Sequence, residues 1–497
     1  MTGQKQSTTI GALPNAGAKT DALTPVAVTR FIWALFVVSL GAIGARALEW
    51  STALPAAGPV AVDGLTLLLW VVVTFFAGIV ASYSQRYMSG SREINRFFGR
   101  VLGFTLIVML LVAADHALLF VAAWLAMGLV MADLIGHIRG WPQAQAAAQF
   151  ARRYFLGSSA LLGVAVATLW WQTGATTLSG FAAAAGSLSQ TSVLVVSVSL
   201  LLAAMIQSAL LPFHGWLLAS MTAPTPASAL MHAGFVNAGG IALLRFAPII
   251  TVEPSVMLAI VVVGALSALG GKLLKSVQTD VKRRLGCSTI GQMGFMIMQA
   301  GLGFFGAAIT HLILHGFYKA YKFLSTGSRV ERTAPTKNHA NGSLGVVGVA
   351  VTLLSTVAGG AVFVVLTGKG AGLDSGLLLT LIVVLTTLHA TRTMLAQSAL
   401  PATVRIGAIP IVFLPAIALY GAVYRVIGGI LHDVPLVSAS AELTVAHGVV
   451  AAAFLLAYLA IETGAYRHSQ RLYIALLNAT RPPAATLLTS TEDYNEY

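Results

Sequence analysis

The chain has 497 residues, of which 57% are hydrophobic and only 9% carry a charge. Soluble globular proteins contain about 25% charged residues, so this composition excludes a soluble protein with an ordinary charged surface. Apolar stretches of about 20 residues recur along nearly the whole sequence, and this is the length that crosses a bilayer as a helix. A transmembrane barrel is excluded because its strands would alternate over about 10 residues. The predicted fold is therefore an all-α polytopic membrane protein.

The use of cysteine and the placement of positive charge narrow the function further. Cys287 is the only cysteine, which excludes an internal disulfide, a Cys-ligated iron–sulfur cluster and a multi-Cys zinc site in this chain. The sequence contains no GxxxxGK[ST] loop, so ATP hydrolysis by that machinery is excluded. The net charge of +13 belongs to short loops between apolar spans, where it sets membrane orientation. We therefore expect contact with a lipid bilayer and no nucleic-acid partner.

About fourteen apolar segments are predicted to span the membrane. Residues 1–27 are rich in Gly, Ser, Thr and Ala, which predicts a disordered cytoplasmic segment. Residues 28–463 form the predicted transmembrane domain, and residues 464–497 form a cytoplasmic tail. The predicted spans are 28–48, 63–83, 100–115, 117–136, 151–171, 192–211, 225–246, 254–274, 285–302, 306–328, 343–367, 376–396, 406–430 and 443–463.

The distribution of basic residues predicts how these spans are oriented. With a cytoplasmic N-terminus, 23 of the 29 Lys and Arg residues fall on the cytoplasmic side. Two more lie inside a span, and the external side holds only Arg46, Arg245, Lys369 and Arg425. An excess of Lys and Arg marks the cytoplasmic loops of membrane proteins. Both termini are therefore predicted to be cytoplasmic.

One predicted span carries a row of titratable side chains. His311, His315 and Lys319 are spaced i, i+4 and i+8, so they lie on one helix face over about 12 Å. Lys322 extends this row. Because His titrates near neutrality and burial can bring Lys there, the row predicts a proton relay. The alternative is that these side chains bond to neighbouring helices and that the lysines reach the cytoplasmic surface.

A proline-rich region predicts a broken helix. Pro212, Pro224 and Pro226 interrupt an apolar region, and transporters use such interruptions to expose backbone polar groups to ions. His232 lies in the following span and is a candidate to receive a proton from the break. The alternative for His232 is a core histidine whose hydrogen bonds are satisfied. His214 is predicted to lie at the membrane interface.

Two further titratable residues, Asp133 and His389, lie near the predicted cytoplasmic ends of their spans. Ionisable residues within membrane spans are rare and usually face a water-filled cavity or the interior of the helix bundle. Each residue is therefore a candidate entry group of an ion path.

Several motifs between about Val62 and Arg405 are similar to those of a known family. They are Val62–Thr66, Arg86–Met88, Leu211–Leu217, Ala223–Ala233, Val277–Arg283, Ser288–Phe295 and His311–Ser328. In these segments the chain resembles the antiporter-like membrane subunits shared by respiratory complex I and the Mrp-type sodium/proton antiporters. The resemblance implies two inverted five-helix repeats, each with a broken helix, and a polar axis of Lys, His and Glu in the middle of the membrane.

The family's early ion pair is absent from this chain. In the family, a Glu follows a Trp on an early helix and pairs with a Lys near the broken helix. The matching positions here are Leu125, which follows Trp124, and Gln207. Loss of one partner would leave an unpaired buried charge at a cost of about 3–5 kcal/mol, and loss of both avoids that cost. The replacement indicates a changed path through the first repeat, with Asp133 a candidate substitute for the missing carboxylate.

Within this family the chain looks most like DabB-type subunits, the membrane components of bacterial two-component systems that accumulate inorganic carbon. The resemblance implies a non-enzymatic subunit of the bacterial inner membrane that moves a cation, H+ or alternatively Na+, inward. It also implies a large cytoplasmic partner that contains zinc and resembles a β-carbonic anhydrase (DabA-like), with no cofactor in this chain. The alternatives are a proton-pumping subunit of a complex I-like or Mrp-type complex, and a structural anchor whose relay has decayed.

Overall fold

The protein is described from a computed structural model over residues 23–48, 58–326, 345–397, 402–464 and 469–486. Within these ranges the chain is nearly all helical, and its β-structure is limited to isolated bridges such as Val60 with Ala114. The predicted all-α fold is confirmed.

Nineteen α-helices lie within the described ranges, and short 3-10 turns join some of them. In chain order they are α1 (Leu23–Ala47), α2 (Gly64–Tyr87), α3 (Ile94–Ala113), α4 (Ala117–Ile135), α5 (Pro142–Thr173), α6 (Leu178–Ala183), α7 (Gln190–Gln207), α8 (Gly215–Ala219), α9 (Thr225–Ala233), α10 (Ala238–Arg245), α11 (Ala247–Ile250), α12 (Pro254–Ser276), α13 (Val281–Gly301), α14 (Phe305–Leu324), α15 (Gly345–Thr367), α16 (Gly376–Gln397), α17 (Ala402–Ile430), α18 (Val445–Thr463) and α19 (Gln470–Ala479).

A helix lies at each predicted span, with α9 and α10 together occupying one of them. Eleven spans in the described ranges are long and apolar enough to cross a membrane. The more polar helices α13 and α14 do not meet these criteria, and α16 meets the apolar criterion only over Gly376–Thr391. The chain is therefore a multi-pass membrane protein. The number of fourteen crossings and the two inverted repeats stay predictions.

The two ends of the chain differ in part from the predicted segments. Helix α1 begins at Leu23, so the last five residues of the predicted disordered segment 1–27 are helical. Residues 1–22 lie outside the described residues. In the predicted tail 464–497, Gln470–Ala479 form α19, and Leu476 packs against the core. This part of the tail is therefore attached to the helix bundle.

Glycines bring the backbones of α12 and α13 into close contact. A Cβ atom on Gly271 would lie 2.2 Å from the Gly291 nitrogen, and one on Gly294 would lie 2.4 Å from the Ala268 nitrogen. Small residues spaced along membrane helices allow this kind of approach. The contact fixes the orientation of α13, whose residue Gln292 lines the cavity described below.

A network of ion pairs and hydrogen bonds joins α1, α2, α3 and α10 at one end of the bundle. Arg245, at the end of α10, pairs with Asp63, the N-cap of α2, and donates to the Val112 carbonyl oxygen at 2.6 Å. Arg46, at the end of α1, pairs with Asp433 at 2.7 Å. Arg46 and Arg245 are two of the four basic residues predicted to be external, and the structure places both at this end.

Candidate ion-translocation site

The predicted prolines interrupt helical structure between α7 and α9. Helix α7 ends at Gln207, and residues 208–214, which include Pro212, are not helical. Pro224 is the N-cap of α9 and Pro226 lies in its first turn, where a proline removes no helical hydrogen bond. The interruption is present, and Pro224 and Pro226 mark the start of the next helix.

His214 links this interruption to the C-terminal segment. Its Nε2 atom lies 2.8 Å from the Ala479 carbonyl oxygen, and its Nδ1 atom lies 3.2 Å from the Pro212 carbonyl oxygen. Nearby, the Gln278 amide donates to the Thr480 hydroxyl at 2.9 Å. The end of α19 is thus attached to residues 265 and 202 positions away in sequence. No local sequence signal predicts these contacts.

A second interruption lies inside the span formed by α9 and α10. Helix α9 ends at Ala233, and Phe235–Asn237 form one 3-10 turn before α10. The Asn237 side chain donates to the Ala233 carbonyl oxygen at 2.8 Å, which compensates for the loss of regular helical bonding there. The proline pattern does not reveal this break. Its sequence signal is glycine, at Gly234 and Gly239.

The row of titratable residues lies on the buried side of α14. The ring centroids of His311 and His315 are 6.0 Å apart. Lys319 is completely buried, and its Nζ atom donates to the Leu285 carbonyl oxygen at 2.7 Å. Lys322 lies in the last turn of α14 and is partly exposed. The structure therefore groups His311, His315 and Lys319 in the interior, whereas Lys322 lies nearer the surface.

A short hydrogen-bond chain connects His232 with Lys319. The Nδ1 atom of His232 lies 2.9 Å from the Thr289 hydroxyl, which donates to the Leu285 carbonyl oxygen at 3.0 Å. Lys319 donates to the same oxygen. Because the Thr289 hydroxyl donates its only hydrogen to Leu285, it accepts from His232, and this assigns the proton of the neutral ring to Nδ1. Residues of α9, α13 and α14 thus meet at one site, in which Thr289 is a member that the sequence patterns do not indicate.

Several buried polar atoms near this chain have no hydrogen-bond partner within the described ranges. They are the Nε2 atoms of His232, His311 and His315, Ser228 Oγ and Asn237 Oδ1. Buried polar groups are nearly always hydrogen-bonded, and internal water commonly provides the partner. These atoms occur both beside the break between α9 and α10 and along α14. These atoms are therefore available to bind internal water.

A cavity of about 280 Å³, which we call the vestibule, lies next to the row and is lined by residues of α12, α13, α14, α16 and α18. His311 and His389 both line it. The Nε2 atom of His389 lies 3.0 Å from Lys272 Nζ, and its Nδ1 atom lies 2.7 Å from Glu462 Oε1. The structure therefore brings two predicted site residues to one cavity. The structure also shows that Lys272 and Glu462 contact His389. Their only sequence signal is a charge near the end of a span.

Neutral contacts surround the two positions that the motifs match to the family's early ion pair. Gln207 is completely buried, and neither polar atom of its amide has a partner in the described part of the chain. Leu125 is partly buried. The neighbouring Trp124 donates to the Ser158 hydroxyl at 3.1 Å, and Ser158 donates to the Ala203 carbonyl oxygen at 2.9 Å. These bonds tie α4, α5 and α7 together without buried charges.

Asp133 forms an ion pair at the surface and does not pair with Gln207. Its side chain is 45% exposed and lies 2.7 Å from Arg152. The structure therefore does not bring Asp133 to the buried position of the missing glutamate.

The Asp133→Asn variant is expected to transport like the wild type and to lose at most about 1 kcal/mol of stability, because exposed ion pairs contribute about 0.2–1 kcal/mol. Ion flux in proteoliposomes and thermal unfolding in detergent would measure the two effects. Arg152→Gln is the matched control and should give the same small change. Loss of flux in a folded Asp133→Asn variant, with Arg152→Gln active, would place the carboxylate on the ion path.

Two protein families match segments of this chain. Residues 114–367 match the transmembrane family of NADH:quinone oxidoreductases and Mrp antiporters, and residues 54–98 match the N-terminal region of chain 5 of complex I. The first match covers just over half of the chain. The chain belongs to the NADH:quinone oxidoreductase/Mrp antiporter family. The resemblance inferred from the motifs is confirmed.

Relatives of this chain are named either as inorganic carbon transporter subunits or as NADH-quinone oxidoreductase subunits. The probable inorganic carbon transporter subunit DabB1 of Halothiobacillus neapolitanus is 39% identical over 281 residues, which are 55% of this chain and 50% of that protein. The NADH-quinone oxidoreductase subunit L of Mycobacterium tuberculosis is 34% identical over 273 residues, which are 54% of this chain and 43% of that protein. The chain spans about half the length of the curated relatives it matches.

A solved structure shares the fold. It is the Mrp complex from Dietzia sp. DQ12-45-1b, with a TM-score of 0.54 and 21% sequence identity. The similarity covers 92% of this chain and 52% of that chain. The antiporter-like fold is therefore confirmed.

Proposed function

We propose that this chain is the cation-translocating membrane subunit of a two-component inorganic-carbon uptake complex and is not itself an enzyme. The observation that carries the proposal is the buried row of His311, His315 and Lys319, which is connected to His232 and borders the vestibule. Ionisable groups inside a membrane bundle are costly, and they typically mark transport paths. The relatives named as probable inorganic carbon transporter subunits support the inorganic-carbon role.

The transported cation in this proposal is H+. The row presents imidazole and amine nitrogens, which bind protons, whereas hard metal cations prefer oxygen ligands. Inward flux would pass along the row of His311, His315 and Lys319, and the vestibule, beside which His389 lies between Lys272 and Glu462, would connect the row to the cytoplasm. Na+ is the alternative, and a requirement for Na+ at constant membrane potential and pH would favour it.

The inward flux would drive a large cytoplasmic partner that contains zinc and resembles a β-carbonic anhydrase (DabA-like). That partner would hydrate CO2 to bicarbonate. We place this chain in the bacterial inner membrane with both termini in the cytoplasm, on the basis of its Lys and Arg distribution. Coupling requires that the protonation state of the row changes the conformation or affinity of the partner.

Affinity purification of the tagged chain in mild detergent, followed by mass spectrometry and zinc analysis, tests this proposal. We expect one large zinc-containing protein at about equal stoichiometry, with an untagged strain as the control. Co-purification of several membrane and redox subunits would contradict the proposal. That result would make the chain a proton-pumping subunit of a complex I-like or Mrp-type complex, the second candidate, which the similarity to subunit L favours.

A further inference from the structure

The vestibule is an elongated cavity whose walls extend over about two helical turns. Helices α12, α13, α16 and α18 each line it with four residues that span seven positions, as Ile382, Leu385, Thr386 and His389 do on α16. Residues with this spacing lie on one helix face and cover about 10.5 Å along its axis. The volume of about 280 Å³ is close to the lower limit of small-molecule sites, which measure about 300–1,000 Å³.

The two ends of the vestibule differ in polarity. Lys275 and His389 line the end at which α12 and α16 finish. At the other end the walls are largely apolar and include Ile382 and Phe454. His311 is the titratable residue of the lining at this inner end. A cavity that is charged at one end and largely apolar at the other fits an amphiphile with a polar head and an apolar chain.

The charged end of the vestibule carries positive charge without a matching carboxylate. Lys272 and Lys275 both line it, and neither takes part in an ion pair within the described ranges. Glu462 contacts His389 and is not among the lining residues. Arg284 is close enough to Lys275 to repel its charge. A cleft lined by charges of one sign attracts the opposite ion, so this end fits an anionic head.

Helix α18 stands between the vestibule and the surrounding lipid. Its inner face, which includes Ala457 and Tyr458, lines the cavity. Leu455, Leu456 and Leu459 of the same helix are 45%, 66% and 48% exposed. Such apolar side chains resemble lipid tails in polarity, and on a membrane helix they face the acyl chains. The cavity therefore lies one helix away from a source of acyl chains.

We propose that the vestibule binds a lipid whose anionic head lies beside Lys272 and Lys275 and whose acyl chain extends past Leu385 toward Phe454. Basic pockets between transmembrane helices bind anionic lipid heads. The carboxylate of a fatty acid and the phosphate of an anionic phospholipid share this chemistry. The inference goes beyond the proposed transport function and does not rest on it, because the shape and charge of the cavity support it independently.

A palmitate analogue with a photoreactive diazirine in the middle of its chain tests the location of the acyl chain. After irradiation of the complex purified in a maltoside detergent, peptide mass spectrometry should find the label on lining residues such as Leu385. Ala457→Phe fills the apolar part of the cavity and is expected to reduce this labelling severalfold. Ala452→Phe, at an exposed position on α18, is the matched control and should label like the wild type. Labelling confined to the outer residues Leu456 and Leu459 would overturn the site.

Competition for this labelling tests the anionic head. Oleate and phosphatidylglycerol are the anionic competitors, and phosphatidylcholine is the control without net charge. Competition by oleate alone would identify a fatty acid as the ligand, and competition by phosphatidylglycerol would identify a phospholipid. Either result supports the proposal. Equal competition by phosphatidylcholine, or no competition by either anion, would overturn it.

Substitution of one lysine tests the same end of the cavity. Lys275→Gln is expected to weaken binding of the anionic competitor about fivefold, because a lysine near an anionic lipid surface adds about this factor to binding. Arg153→Gln removes a positive charge from an exposed position on α5 and is the matched control. Unchanged binding in Lys275→Gln would overturn the assignment of the head. Neither result alters the expectation for the row of His311, His315 and Lys319, so failure of this inference leaves the proposed function in place.

Discussion

Replacement of Lys319 by Met is expected to abolish inorganic-carbon accumulation and ion flux while leaving the complex assembled. Lys319 is completely buried, and its Nζ atom donates to the Leu285 carbonyl oxygen, which also accepts from Thr289. Methionine has a similar volume but cannot carry a proton, so the hydrogen-bond chain from His232 would no longer end at a titratable group. Removal of a proton-transfer group typically slows a reaction by about 100-fold or more. We expect a loss of at least this order.

Uptake of labelled bicarbonate by cells and proton flux in liposomes would measure this effect, with the amount of assembled complex determined in parallel. Arg153→Met removes a positive charge from an exposed position on α5 and is the matched control. Normal accumulation in a well-expressed Lys319→Met strain would remove the relay from the proposed mechanism.

Introduction of a lysine at Gln207 is expected to destabilise the protein strongly. Gln207 is completely buried, and the described residues provide no hydrogen-bond partner for its amide. A lysine there would be charged without a counter-charge, because the motifs match the family's glutamate to Leu125, which is neutral. An unpaired buried charge costs about 3–5 kcal/mol. We therefore expect Gln207→Lys to reduce both the yield of folded protein and its unfolding temperature.

The double variant Leu125→Glu, Gln207→Lys tests whether the two positions interact. Restoring both members of the family's pair should recover part of the stability that either single substitution loses. Thermal unfolding of the four proteins in detergent forms a double-mutant cycle that isolates the coupling between the two positions. Gln207→Met, which is neutral and of similar size, is the control and should be tolerated. If Gln207→Lys alone were as stable as the wild type, the match of these positions to the family's pair would be wrong.

The positions of the membrane helices follow from local properties of the sequence. The sequence predicts spans at 254–274 and 376–396, and the structure has helices at Pro254–Ser276 and Gly376–Gln397. Every backbone polar group in lipid must be satisfied within its own segment, so the extent of an apolar stretch sets the extent of the helix. The alignment of His311 with Lys319 is likewise local, because helical periodicity alone puts them on one face.

The contacts that make these residues a site are not local. His389 lies 117 positions from Lys272 and 73 positions from Glu462, yet its two ring nitrogens contact both side chains. Sequence spacing does not say which faces of two helices meet, because that depends on how small residues such as Gly271 and Gly291 let the backbones approach. The proline pattern does not predict the break between α9 and α10, because a side-chain bond from Asn237 to the Ala233 carbonyl oxygen stabilises its turn.

Asp133 also shows the difference between what the local sequence predicts and what tertiary packing decides. Its sequence position two turns beyond Leu125 makes it a candidate for the missing carboxylate, but the packing of α4 on α5 directs it to Arg152 at the surface. Low charge and long apolar runs determine that this chain crosses a membrane and that its few interior ionisable groups are costly. Which of those groups meet, and which reach water, is decided by the packing of helices that are distant in sequence.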